Sequence, residues 1–181
     1  MKRLLLLTGN PGVGKTTVLM KTVEALGARG HSVGGMISRE IRGAKGRIGF
    51  EVLDLASGKH GWLAHVKQRN GPRLGKYYVS LGDLENVGAK AINDAVKREG
   101  VIVIDEIGPM ELFSSRFKEA VEKAVESRKL VIGVVHGKAK DKLIDLLRTR
   151  EDAETIVVTF ENRNNLHEII IKKALEFLEN V

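Results

Sequence analysis

Apolar residues fall into two rhythms along this chain. Leu4-Leu5-Leu6-Leu7 is a continuous run between a basic start and a glycine, which predicts a strand over 3–8 buried on both faces. Val18, Leu19, Val23 and Leu26 follow at helical spacing and predict a helix over 15–29, closed by Gly27 and Gly30. A second strand is expected over 32–38, where Gly34-Gly35 signals close approach of two backbones. A charged, glycine-containing connection should then cover 39–47. From 48 to 55 the rhythm changes to alternation, with Ile48, Phe50, Val52 and Leu55 inward and Glu51 and Asp54 outward. Ser57-Gly58 reads as a turn, 61–66 as the return strand of a hairpin, 68–75 as an exposed basic loop and 76–79 as a short β segment. The middle of the chain is therefore expected to be antiparallel.

After residue 82 helices and strands alternate again. Leu84, Val87, Ala91, Ala95 and Val96 share a face of a helix over 82–98. Strands are predicted over 101–104, 130–135 and 155–159, and helices over 113–127, 140–147 and 164–178. The expected fold is a three-layer α/β domain with a mixed, mostly parallel central sheet and extra antiparallel strands. With 181 residues, one domain over 1–181 is expected rather than two.

Composition narrows the classes. Hydrophobic residues at 43% and charged residues at 29% fit a globular chain and exclude a disordered one. No apolar run approaches a membrane span, and the four leucines after Lys2-Arg3 are too short for a signal peptide, so a cytoplasmic protein without membrane partners is expected. Without cysteine, disulfides, thiolate metal sites and thiol catalysis are excluded. Gln68 is the sole glutamine in a chain rich in Lys, Arg and Glu, a thermophile-like composition. The net charge of +7 is concentrated: residues 39–76 hold nine Lys/Arg against three Asp/Glu. Such a stretch suits acidic partners, whether nucleotide phosphates or nucleic acid.

The most specific chemistry lies between the first strand and the first helix. Gly9-Asn10-Pro11-Gly12-Val13-Gly14-Lys15-Thr16-Thr17 has the spacing G-x-x-x-x-G-K-[ST]. Gly9, Gly12 and Gly14 let the backbone turn tightly and bring its N–H groups against phosphate oxygens. Lys15 supplies a positive charge for the β- and γ-phosphates, and Thr16 offers a hydroxyl to Mg²⁺. The helix that starts there points its partly positive end at the same anion.

The run Val101-Ile102-Val103-Ile104-Asp105-Glu106-Ile107-Gly108 carries the second half of the expected site. An acid at the end of such a strand holds Mg²⁺ in phosphate-loop proteins, which assigns Asp105, with Thr16, to the metal. Glu106 is the expected catalytic group that polarises an attacking water, with Lys15 beside it on the phosphates. His136 ends the next strand, on the rim where parallel sheets bind ligands, and could reach the γ-phosphate or the water.

Three segments in order resemble a known family: the loop at 9–17, the run Asp105-Glu106-Ile107-Gly108-Pro109-Met110-Glu111-Leu112, and Thr159-Phe160-Glu161-Asn162-Arg163-Asn164. Together with Ser38-Arg39-Glu40-Ile41-Arg42 and Arg47-Ile48-Gly49-Phe50 they are similar to the THEP1-type nucleoside-triphosphatases. The likeness covers nearly the whole chain. It implies a RecA-like phosphate-loop core with added antiparallel strands, and slow, Mg²⁺-dependent hydrolysis of several nucleoside triphosphates. It also implies nucleotide-binding segments at 9–16 and 101–108, with Thr17 beside the α-phosphate. Glu111 matches the family run, and a helix-initiating role suits it as well as a catalytic one.

Asn162 and Arg163 follow the last strand. An arginine plane stacks on any base, so Arg163 with Asn162 beside it is expected to form part of a base platform. The Asn-Lys-x-Asp signature of guanine selection is missing from the sequence, which argues against strict guanine specificity. A charge-neutralising arginine is expected among Arg39, Arg42, Arg47 and Arg163. Two other readings share these residues. A phosphate-loop kinase would pass the γ-phosphoryl to an acceptor held by the basic middle. A nucleotide-switched RNA-binding module would use that middle as a groove, although few aromatics are available there for stacking (Trp62, Tyr77, Tyr78), so nucleic acid is not the favoured partner. The sequence is compatible with a monomer.

Overall fold

A computed structural model describes residues 1–180. Its framework is a nine-stranded sheet in the order β5-β6-β4-β3-β2-β7-β8-β1-β9. The strands are β1 (Leu4–Thr8), β2 (Val33–Gly43), β3 (Gly46–Asp54), β4 (His60–His65), β5 (Arg73–Leu74), β6 (Tyr77–Val79), β7 (Val101–Ile107), β8 (Leu130–Val135) and β9 (Ala153–Val157). The five strands β2-β7-β8-β1-β9 run parallel. The pairings from β2 outward through β3, β4, β6 and β5 are antiparallel.

Helices cover both faces. On one side lie α1 (Lys15–Ala28) and α6 (Leu166–Leu178). On the other lie α4 (Ser115–Glu126), α5 (Lys142–Thr149) and a long helical segment. That segment runs from α2 (Leu81–Asp83) through a π-helical turn (Leu84–Ala89) into α3 (Lys90–Arg98). The central strands show why the layers form. Leu4 and Leu6 join the core under α4 and α5, while Leu5 and Leu7 join the core under α1. Ile102 and Ile104 of β7 divide from Val101 and Val103 in the same way. Period-two side chains that are apolar at every position suit only a strand covered twice. Each fully buried aliphatic contributes roughly 1.5–3 kcal/mol of transfer free energy.

Three expectations change. Residues 39–47 are not a connection: β2 continues to Gly43, turns, and returns as β3 from Gly46. Beyond Ile37 the β2 arm of this hairpin is rich in charge and partly exposed, while Val52 and Phe50 on β3 still pack into the core on the α4 side. The basic segment 68–75 is not a free loop either. The Val79 N–H donates to Pro72 O at 2.8 Å, and Arg73 lies over the Tyr78 ring. Leu55, expected to face inward with Phe50 and Val52, packs with Leu53 against the α1 core instead.

The double glycine does mark a close approach. Gly35 has φ 122°, and a Cβ there would stand 2.0 Å from the Val103 carbonyl oxygen. Only glycine allows β2 and β7 to pair at this point.

Candidate active site

The C-terminal ends of β1, β7, β8 and β9 share one rim of the sheet, and β2 runs past it. On this rim the segment from Gly9 to Gly14 links β1 to α1. Gly14, the residue before the helix, has φ 107° and no side-chain cap, and no acid occupies the first helical turn. The positive end of α1 is thus left facing solvent, as an anion site requires. Lys15 Nζ reaches back across the loop and donates to the Gly9 and Asn10 carbonyls, both at 3.0 Å. Val13 is buried beneath, while Thr16 and Thr17 stay exposed.

The two sequence segments of the expected site meet in one contact. Thr16 Oγ1 donates to Asp105 Oδ2 at 2.9 Å, across 89 positions of sequence. Asp105 is 1% exposed. Burial drives its carboxyl up to about 7, and the neighbouring Glu106 adds to that. The Thr16 hydroxyl, Lys15 and the Ser38 N–H oppose the shift. This donor set consists of hard oxygens, one hydroxyl and one carboxylate. It suits a divalent cation that takes its remaining ligands from phosphate and water. Among the described residues no cluster of three or more His, Cys, Asp or Glu could hold a metal by itself.

The ladder between β7 and β8 slips between Asp105 and Ile107, so Glu106 is an extra residue that stands off the strand, half-buried. Gly108 follows at a crowded point. A Cβ there would lie 3.1 Å from Glu106 Oε1, 3.3 Å from Glu111 Oε2 and 3.4 Å from the His136 Cβ. Glu106, Glu111 and His136 therefore converge around one glycine. Glu111 opens the short 3-10 turn Glu111–Phe113, but it is only 5% exposed, and α4 itself is capped by Ser114, which accepts the Phe117 N–H at 3.1 Å. Burial pushes its carboxyl up to about 8, despite N–H donation from Glu111 and Gly108, and Glu106 and Asp105 push the same way.

His136 lies where β8 ends. Its Nδ1 accepts the N–H of Ala139 at 3.0 Å and of Lys138 at 3.3 Å. A neutral ring with Nδ1 accepting carries its proton on Nε2.

The rim arginines separate. Arg42 pairs with Glu40 at 2.6 Å. Arg47 pairs with Glu40 at 3.1 Å, donates to Tyr77 Oη at 2.7 Å and stacks on Phe50 and Tyr77. Those aromatics belong to the core on the α4 side. Strand alternation instead puts Arg39 on the Ile37 side, which is the face of α1, and among the described residues it makes no ion pair.

The loop after β9 lies against the glycine-rich loop. A Cβ on Gly9 would meet the Val158 carbonyl oxygen at 2.6 Å, and Arg163 Cδ stands 3.6 Å from a Cβ on Gly14. Arg163 Nη1 donates to Val13 O at 3.4 Å, and its guanidinium covers the Phe160 ring at 5.0 Å. Asn162 is engaged in folding this loop. Its Oδ1 accepts the Thr159 N–H at 2.9 Å, and its Nδ2 donates to Val157 O at 2.9 Å. The amide is thus spent on backbone, not offered to a base. Sequence reasoning missed the Ser38 N–H and the role of Phe160, and it named Glu111 without foreseeing its burial. A main-chain donor leaves no sequence signal, and the other two depend on tertiary placement.

A phosphate-loop NTPase with a RecA-type core is the class that this strand order and this loop define. The family model described as NTPase matches residues 4–171. The chain belongs to that family, and within it to the THEP1-type nucleoside-triphosphatases. It is 48% identical over 163 residues to the nucleoside-triphosphatase THEP1 of Thermofilum pendens, covering 89% of each chain. It is 47% identical to that of Methanosarcina acetivorans, over 94% of this chain and 96% of the relative. The crystal structure of THEP1 from the hyperthermophile Aquifex aeolicus superposes with a TM-score of 0.82 at 30% identity, over 94% of this chain and 98% of the other. The solution structure of a human cancer-related nucleoside triphosphatase gives 0.80 at 36% identity, over 94% and 96%.

Proposed function

We propose that this protein hydrolyses nucleoside triphosphates to nucleoside diphosphate and phosphate, slowly and with Mg²⁺, as a single-domain cytoplasmic enzyme. The observation that carries this reading is the 2.9 Å contact between Thr16 and Asp105, which joins the phosphate loop to the carboxylate strand. The names of its relatives support the same activity.

Lys15 and the N–H groups of residues 10–16 bind the phosphates. Thr16 Oγ1 and Asp105 are the groups that would hold Mg²⁺, which would supply positive charge to neutralise the phosphates. Glu106, standing off β7 on the same rim, accepts a hydrogen bond from the attacking water and aims its lone pair at phosphorus. Positioning dominates here, because the phosphoryl group reacts through a loose transition state. His136, with Nδ1 occupied, offers Nε2–H to a γ-oxygen. Arg39 is the rim arginine best situated to neutralise transition-state charge, since Arg42 and Arg47 are held by Glu40.

The test is phosphate release by the Lys15→Ala and Glu106→Gln proteins. Lys15→Ala should lose nucleotide affinity together with turnover. Glu106→Gln should keep affinity and lose about 10²-fold or more in turnover, the scale of a positioned base. Hydrolysis by Glu106→Gln at the parental rate would refute the assigned role. Recovery of label on an added hydroxyl acceptor would point to a kinase.

A further inference from the structure

Phe160 is a large aromatic side chain left 64% exposed at the edge of the glycine-rich loop. Its neighbours make it more than a surface accident. One side of the ring is covered by the Arg163 guanidinium, 5.0 Å from the centroid. The stem of Arg163 runs beside Gly14, 3.6 Å from where a Cβ would be, and its Nη1 donates to Val13 O. The pair is thus fastened to the C-terminal end of the phosphate loop, where α1 begins. The loop is itself stapled from the other end: Asn162 bonds Thr159 and Val157, and Val158 N–H donates to Thr8 O at 2.8 Å. The platform is built on a rigid base and presents two stacked π surfaces to solvent.

We propose that Phe160 and Arg163 together form the nucleobase subsite, and that Phe160 supplies the stacking surface on which any base is held. The inference rests on the hydrolase reading above, because it needs a nucleotide whose phosphates occupy the loop at 9–14. A chain of phosphates bound there directs its ribose and base outward along the start of α1, past Gly14 and onto this pair. A ring stacked on phenylalanine and guanidinium is held by its π face, which every base has, and not by the donors and acceptors of its edge. The Asn162 amide, a polar side chain between the two stacking residues in sequence, is consumed within the loop and is not free to read a base edge. The subsite therefore takes purine and pyrimidine nucleoside triphosphates alike, with a modest advantage to the larger ring.

The decisive experiment compares nucleotides with inorganic tripolyphosphate as ligands of the parent, Phe160→Ala, Phe160→Trp and Lys15→Ala proteins. Phe160→Ala should weaken ATP, GTP, CTP and UTP by about 10- to 100-fold, the range of one base–aromatic stack, while tripolyphosphate affinity stays within twofold. Phe160→Trp should restore nucleotide affinity, and its new indole fluorescence should change on adding ATP but not on adding tripolyphosphate. Lys15→Ala should weaken both ligand types. Unchanged nucleotide affinity in Phe160→Ala, with Lys15→Ala impaired, overturns the base subsite and leaves the hydrolase reading standing. Equal loss of tripolyphosphate in Phe160→Ala also overturns it, because the residue would then serve only the loop's shape. Full nucleotide binding by Lys15→Ala sinks the hydrolase reading and this inference with it.

Discussion

Glu111→Gln should change how the metal-free protein responds to pH more than any other single substitution. Glu111 is buried and close to two further carboxyls, and its carboxyl is raised to about 8 from an ordinary value near 4.3. An acid raised by folding adds nothing below its unfolded value, where both states are protonated. As pH climbs past that value the unfolded chain ionises first, and stability falls until the folded carboxyl ionises too. Each pH unit in that window costs up to about 1.4 kcal/mol, so the full interval corresponds to at most about 5 kcal/mol. Asp105, raised to about 7, adds a second loss over an overlapping range. The depressed carboxyls lie outside this window: Lys90 lowers Asp94, Lys118 lowers Asp141 and Arg150 lowers Asp152, so their contribution is complete once the pH exceeds about 4. Guanidinium denaturation with chelator present, at intervals from pH 5 to pH 9, provides the readout. The parent should lose stability steadily over that range. Glu111→Gln should lose markedly less, and Glu111→Gln with Asp105→Asn should be nearly flat. Parallel pH curves for the parent and Glu111→Gln would show that water reaches this carboxyl and that the burial argument is wrong.

Other outcomes follow from the geometry. Arg39→Ala should slow phosphate release by at least tenfold, whereas Arg42→Ala, already paired with Glu40, should cost little; equal effects in a steady-state assay would refute the facial assignment. Lys67, Arg69 and Arg73 changed together to Ala should leave hydrolysis nearly intact, and RNA binding should fade between 50 and 200 mM salt in a filter assay, as nonspecific phosphate contact does. Gly35→Ala should destabilise by about 3 kcal/mol or prevent folding, because the new Cβ would lie 2.0 Å from a backbone oxygen; a denaturation midpoint unchanged from the parent would contradict that spacing.

How much of this was legible in the sequence depended on what each residue is asked to do. Leu4 to Leu7 and Val101 to Ile104 announce buried strands because every position is apolar, and the glycine spacing announces the loop between Thr8 and Lys15. The extension of β2 beyond Ile37 was invisible because its residues are rich in charge and partly exposed and so read as a connection, whereas its partner β3 showed itself by the alternation at 48–55. The helix expected over 82–98 was legible in extent and largely in face, since Leu84, Ala91 and Ala95 are buried and Val87 and Val96 pack partly buried against the same core. The buried side also takes in Gly88, in the π-helical turn, and Ile92, neither of which was among the expected positions. Glu111 illustrates the deepest gap: nothing in the sequence says that an acid will be folded away beneath Gly108. Arg42 and Arg47 looked equivalent to Arg39 because pairing with Glu40 is a matter of which side of a strand each occupies.

The length of β2 has a consequence for how this molecule comes apart. Its eleven residues serve two ladders, parallel to β7 at one end and antiparallel to β3 at the other. The antiparallel wing therefore has no seam at which it could peel away as a separate unfolding unit. Losing β3 would strip β2 of its ladder partner from Met36 to Gly43 and loosen the segment whose Ser38 N–H faces Asp105. Shortening or replacing the wing is then not silent for the chemistry at Asp105. Amide protons of β2 on either side of Ser38 should exchange in one cooperative step, at the free energy of the parallel sheet itself.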